Sequence, residues 1–104
     1  MKKEFQIISE LIKNNTRVLD VGCGDGVLMK HLKDTKKIDV RGLEISKNNV
    51  QICISKGLSV IEGNAENDLQ QFPNLSFDYV ILSQTLQAFY NPEKVIDDLL
   101  RVAN

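Results

Sequence analysis

The stretch VLDVGCGDGVLMKHL, residues 18–32, constrains this chain more than any other part of it. The run from Val18 to Val21 reads as a buried strand with an acid, Asp20, near its end. It breaks on glycines at alternate positions, Gly22, Gly24 and Gly26, and a helix then opens at Val27 with Leu28 and Leu32 on one face. Alternate glycines clear Cβ atoms from the path of a ligand and permit positive φ. The turn lies at the carboxyl end of a strand, which is where open α/β sheets place their ligands.

The rest of the chain repeats the alternation. Residues 3–14 suit an amphipathic helix with Phe5, Ile8, Leu11 and Ile12 on one face, ended by Asn14-Asn15. RVLDV (17–21), IDVRGLEI (38–45), LSVIEG (58–63) and FDYVILSQ (77–84) are the expected strands. Residues 46–57 read as a helix capped by Ser46 and stopped at Gly57, with a buried stripe of Val50, Cys53 and Ile54. The polar stretch NAENDLQQFPNLS leaves room for one helical turn. Asn91 as N-cap and Pro92 at the first helical position open a last helix that buries Val95, Leu99 and Val102. This order predicts an α/β fold: a Rossmann-like, mostly parallel sheet with helices on both faces and right-handed crossovers. Val80-Ile81-Leu82 is apolar on both faces, as expected of a strand inside a parallel sheet. Only one helix follows it. The expectation is therefore that a partner chain covers that edge, as in a homo-oligomer, or that the natural domain continues beyond Asn104.

The glycine turn narrows the ligand. The dinucleotide fingerprint G-x-G-x-x-G, counted from Gly22, needs a third glycine where Val27 stands. Asp25 sits at the mouth of the following helix, where it competes with a pyrophosphate for the positive end of the helix dipole. No Gly-Lys-Ser/Thr of a P-loop occurs. A nucleoside without phosphate removes the conflict, and S-adenosylmethionine is such a ligand: adenosine, ammonium, carboxylate and sulfonium. Asp20 can face its positive methionyl end, directly or through a water. Glu44, at the end of the second strand and 20 residues after Gly24, can accept from both ribose hydroxyls, as the acid does in dinucleotide folds. In GNAEN (63–67), Asn64 or Glu66 can receive the adenine amino group, and a backbone N–H near Ala65 can meet a ring nitrogen. Ser83-Gln84 ends the fourth strand beside this site. Each acid, amide or glycine alone is as readily a turn or surface residue. The argument lies in their placement at the carboxyl ends of successive strands.

Composition sets outer bounds. A length of 104 residues predicts one domain, residues 1–104. With 13 basic and 14 acidic residues the net charge is −1, which predicts no broad attraction to nucleic acid or an anionic membrane. Lys30, Lys33, Lys36 and Lys37 read as a solvated helix end. The N-terminus is interrupted by Glu4, Gln6, Ser9 and Glu10 and has no signal-peptide core, so a cytoplasmic protein is expected. Cys23 and Cys53 show no CxxC or metal-ligand spacing and read as reduced and packed, and His31 as a surface or half-buried helix residue.

RVLDVGCGDG, GLEI and GNAE together resemble the class I S-adenosylmethionine-dependent methyltransferases. The longer segments, above all FPNLSFDYVILSQTLQAFYNPEKVIDDLLRV, resemble the MetW-type methionine-biosynthesis proteins over residues 15–103. The resemblance implies strands one to four of the class I methyltransferase fold, truncated at its C-terminal side. It implies Asp20, Gly22, Gly24 and Gly26 around the methionyl part of the cofactor, Glu44 on the ribose, Asn64 and Ala65 near adenine, and Ser83 at the pocket floor; Cys23, Ile45 and Glu66, beside these in sequence, complete the candidate cofactor-binding set. The adenine-side position, often Asp in methyltransferases, is Asn64 here; its carbonyl still accepts. By resemblance, the role is in methionine biosynthesis alongside homoserine O-acyltransferase. Two alternatives stay open: a methyltransferase acting on a small-molecule acceptor, and a remnant of the fold that no longer binds. The sequence shows no evident catalytic base. The Asn/Asp-Pro-Pro-Tyr/Phe motif is absent, and Tyr79 and Tyr90 read as packing and loop surface.

Overall fold

Parallel pairing of β1 (Arg17–Val21) with both β2 (Asp39–Glu44) and β4 (Tyr79–Leu82) organises the chain, and β3 (Ser59–Glu62) adds outside β2. The computed structural model describes residues 2–83 and 89–103, and within them the sheet order is β3-β2-β1-β4. The intervening helices are α1 (Lys3–Leu11), α2 (Val27–Lys36), α3 (Lys47–Ser55), the single turn α4 (Ala65–Asp68) continued by a 3-10 turn at Leu69–Gln71, and α5 (Pro92–Val102).

The period of two along each strand divides the core into two layers. Val18, Val40, Val60, Tyr79 and Ile81 point to one face, where Leu28, Met29 and Leu32 of α2, Cys53 of α3, and Phe5 and Ile8 of α1 cover them. Leu19, Val21, Leu43, Val80 and Leu82 point to the other, under Ala65, Leu69, Phe72, Val95 and Val102. The sheet is thus clothed on both faces, as the alternation of strands and helices predicts. Gly42 makes this close packing feasible. A Cβ there would lie 2.7 Å from Cys23 Sγ and 2.8 Å from Met29 Sδ.

Local capping follows the residue types. Ser46 caps α3 by accepting from Asn49 N–H, and Asn91 caps α5 by accepting from Lys94 N–H, with Pro92 in the first turn. The polar stretch holds its helical turn, α4, capped by Asn64.

Two expectations are corrected. The first helix stops at Leu11 rather than running to residue 14, because the Lys36 ammonium takes the carbonyls of Ser9 and Ile12. Leu11 is then exposed, while Ser9 and Ile12 are buried. On α3, Val50 and Cys53 are buried but Ile54 is 58% exposed. The fourth strand lies at the edge of the sheet among the described residues, half-buried along its whole length, which is the bare edge that its apolar faces and single following helix led one to expect. A single parallel bridge, Phe77 to Ala103, lies beside it. Gln84 to Ala88, part of the stretch most like MetW-type proteins, lie outside the described residues.

Candidate functional site

Gly22, Gly24 and Gly26 all adopt left-handed backbone, with φ of 78°, 59° and 86°. The turn is fastened to the sheet by the N–H groups of Gly22 and Cys23, which donate to Leu43 O at 2.7 and 3.4 Å. The glycines differ in what surrounds them. At Gly26, the N-cap of α2, a Cβ would meet Leu58 Cδ1 at 2.6 Å and Cys53 Sγ at 2.9 Å. Gly26 therefore serves the packing of α2 against α3. At Gly24 a Cβ would meet nothing within 4 Å. Gly24 leaves space open, and that space is part of a cavity.

Glu44 is 6% exposed, and both carboxylate oxygens are engaged. Oε1 accepts from Gly24 N–H at 2.9 Å and Oε2 from Ser46 N–H at 2.9 Å. The acid thus braces the glycine turn against the start of α3. Each carboxylate oxygen retains a second acceptor position. Asp20 is 1% exposed at the end of β1, and its Oδ1 accepts from Ser83 Oγ at 2.7 Å. Ser83 is held in turn by its N–H, which donates to Val21 O. Burial pushes the Asp20 carboxyl up to about 6; the Ser83 hydroxyl opposes the rise and the charge of Glu44 adds to it. Burial also raises the thiols of Cys23 and Cys53. Both face the Gly24 carbonyl, Cys53 Sγ donating to it at 3.3 Å, so they are packed and protonated rather than nucleophilic.

Two cavities meet at Gly22. The smaller, about 210 Å³, lies between Gly63–Glu66 and Phe89–Tyr90, with Ile45 at its side. The larger, about 800 Å³, runs from Gly22–Asp25 to Ser83 and is walled by Phe5 and Ile8 of α1, Val27, Ile81 and Leu82. Of the residues singled out in the sequence, Gly22, Ile45, Asn64, Ala65 and Glu66 line the first, and Gly22, Cys23, Gly24 and Ser83 the second. Asp20 reaches the second through Ser83. Glu44 and Gly26 line neither. Asn64 and Glu66, the two candidates for the adenine amino group, are already engaged: Asn64 Oδ1 accepts from Glu66 N–H at 2.6 Å, and the Glu66 carboxylate accepts from the N–H groups of Tyr90 and Asn91.

Sequence reasoning passed over Phe89, read Tyr90, which directly precedes the N-cap Asn91, as loop surface, and read Phe5 and Ile8 as core only. Their periodicity does mark a buried face, and that face borders a cavity.

The lining can take a nucleoside: the buried carboxyls of Asp20 and Glu44 lie under the turn, the small cavity beyond Gly22 has room for a flat base, and the open side of Gly24 leaves room for main-chain approach. Asp25 stands on the turn with the Lys56 ammonium donating to its carbonyl at 2.8 Å.

The family of the methionine biosynthesis protein MetW matches residues 2–104. The chain belongs to the MetW family. Over 103 residues the chain is 34% identical to the bifunctional methionine biosynthesis protein MetXA/MetW of Rhodopirellula baltica, a match that covers 91% of the chain and 16% of that protein. It is 30% identical over 99 residues to the mitochondrial ubiquinone biosynthesis O-methyltransferase of Dictyostelium discoideum, covering 82% of the chain and 31% of the relative. Among solved structures, an S-adenosylmethionine-dependent methyltransferase of Thermotoga maritima superposes with a TM-score of 0.77 at 27% identity, over 97% of this chain and 45% of that one. The [4+2]-cyclase SpnF superposes with a TM-score of 0.85 at 23% identity, over 98% and 40%. That last likeness carries the fold alone, and it shows that the fold hosts more than methyl transfer. The chain spans less than half the length of each of these relatives.

Proposed function

We propose that residues 1–104 form a cytoplasmic, S-adenosylmethionine-binding unit of MetW type that serves methionine biosynthesis. The observation that carries this reading is the pair of cavities joined at Gly22, with open space over Gly24 and the buried carboxyls of Asp20 and Glu44 beneath the turn. Asp20, through Ser83, holds the ammonium end of the methionyl arm. Glu44 offers its remaining acceptor positions to the ribose hydroxyls while it braces the turn. Ile45 flanks the sugar and base, and the main chain at Asn64–Ala65 recognises the purine edge. When bound, the cofactor supplies an electrophilic methyl group on a sulfonium. The chain's own part is to position that group and exclude water around it.

The partner by this reading is homoserine O-acyltransferase. It draws support from a relative whose printed name, MetXA/MetW, joins two methionine-biosynthesis parts in one protein. A second reading, methyl transfer to a small-molecule acceptor, is favoured by the apolar wall of the larger cavity, Phe5, Ile8, Val27, Ile81 and Leu82, which exceeds what a charged methionyl arm calls for.

Titration calorimetry with S-adenosylmethionine, S-adenosylhomocysteine and NAD tests the reading. One-to-one binding of the first two and none of NAD is expected. A folded chain that binds neither sulfur ligand would be a remnant of the fold, and preference for NAD would overturn the assignment of the turn. Capture of homoserine O-acyltransferase by the tagged chain separates the partner role from transfer of labelled methyl into a metabolite extract.

A further inference from the structure

The smaller cavity has two walls from distant parts of the chain: Gly63–Glu66, where β3 passes into α4, and Phe89–Tyr90, just before α5. Phe89 is partly buried in the core, but Tyr90 is fully exposed and its side chain is not anchored by burial. What ties the second wall to the first is Glu66. Its Oε1 accepts from Tyr90 N–H at 3.0 Å and its Oε2 from Asn91 N–H at 3.1 Å. Its main-chain carbonyl accepts from the Lys94 ammonium one turn into α5. Two charge-assisted bonds to the backbone N–H groups of the N-cap Asn91 and of Tyr90 just before it form a strong, directional tie, because the acceptor is an ionised carboxylate. Both Glu66 oxygens are turned to this tie.

We infer that Glu66 is a positioning residue that sets the width of the purine slot by clamping the Phe89–Tyr90 wall to α4, without touching the base itself. The inference rests on the cofactor reading above. It separates Glu66 from Ala65 and Asn64, whose main chain stays at the purine edge. It also couples the slot to α5: whatever shifts the first turn of that helix changes the grip on the base.

The test uses two probes that differ at the purine amino group, 5′-methylthioadenosine and its deaminated counterpart 5′-methylthioinosine. Their affinities are measured by calorimetry for the wild-type chain, Glu66→Ala and Glu66→Gln, with folding checked by thermal melting. Loss of the clamp weakens both probes alike, by about tenfold in Glu66→Ala, the effect of losing a charged hydrogen bond, and leaves their ratio unchanged. Glu66→Gln falls between, since an amide oxygen accepts from one N–H and its NH₂ opposes the other; it also serves if Glu66→Ala does not fold. If only the amino-bearing probe is weakened, Glu66 touches the base and the inference is wrong. If neither is weakened, the wall needs no clamp and the inference is equally wrong. A folded wild-type chain that binds neither probe nor S-adenosylmethionine overturns the cofactor reading itself, and the clamp with it.

Discussion

Asp20→Asn separates what the site costs the fold from what it does for the ligand. The Asp20 carboxyl is 1% exposed, and burial moves its pKa from 3.8 to about 6. The folded chain therefore binds this proton more tightly than the unfolded chain does. Between these two values the native state holds more protons, so the contribution of Asp20 to stability is full below pH 3.8 and is lost as pH rises through about 6. At about 1.4 kcal/mol per tenfold change in proton affinity, the loss amounts to about 3 kcal/mol once the group is fully ionised. An asparagine retains an oxygen to accept from Ser83 Oγ and has no charge to bury. Its amide nitrogen needs a partner, which adds a constant penalty at every pH. The difference in urea-unfolding free energy between variant and wild type should therefore shift in favour of the variant by roughly 2–3 kcal/mol from about pH 4 to about pH 7. The same substitution should weaken S-adenosylmethionine binding at neutral pH, and wild-type affinity should fall as acid neutralises Asp20 below about pH 6. A pH-independent difference in stability would refute the argument that a buried, ionised Asp20 opposes folding.

Three further substitutions divide packing from binding. Gly24→Ala and Gly26→Ala carry a similar left-handed backbone cost, about 1–2 kcal/mol each. Overpacking against Leu58 and Cys53 should cost Gly26→Ala about 1–3 kcal/mol more, visible in chemical denaturation. Gly24→Ala meets no protein atom, so it should stay folded and lose affinity for S-adenosylmethionine in calorimetry; unchanged affinity would show that the ligand lies elsewhere. Glu44→Ala frees the N–H groups of Gly24 and Ser46 and removes the proposed ribose acceptor, and should weaken binding by about 1.5–3 kcal/mol, the scale of hydrogen bonds to a charged group.

Much of this was legible because it is local. The glycine turn carries its own backbone requirement, the Ser46 and Asn91 caps act within three residues, and alternation along β1, β2 and β4 predicts a sheet covered on both faces. The placement of Asp20, Glu44 and Ala65 at the ends of successive strands follows from that pattern. What escaped depends on partners far away in the chain. Lys36 ends α1 from 24 residues away, Ser83 reaches Asp20 from 63, and both Glu66 carboxylate oxygens are taken by N–H groups 24 and 25 residues on. Ile54 shows a different limit. Helical spacing marks a stripe but not its width, and α3 buries only the Val50–Cys53 side of it.

A crystal structure of the chain with S-adenosylhomocysteine tests the central claim most directly. It should place the purine between Ala65 and the Phe89–Tyr90 wall, the main chain of Gly22–Gly24 against the thioether side, and the amino-acid end beside Ser83 and Asp20. Adenosine bound at another surface, or a phosphate-bearing ligand seated in the glycine turn, would contradict it.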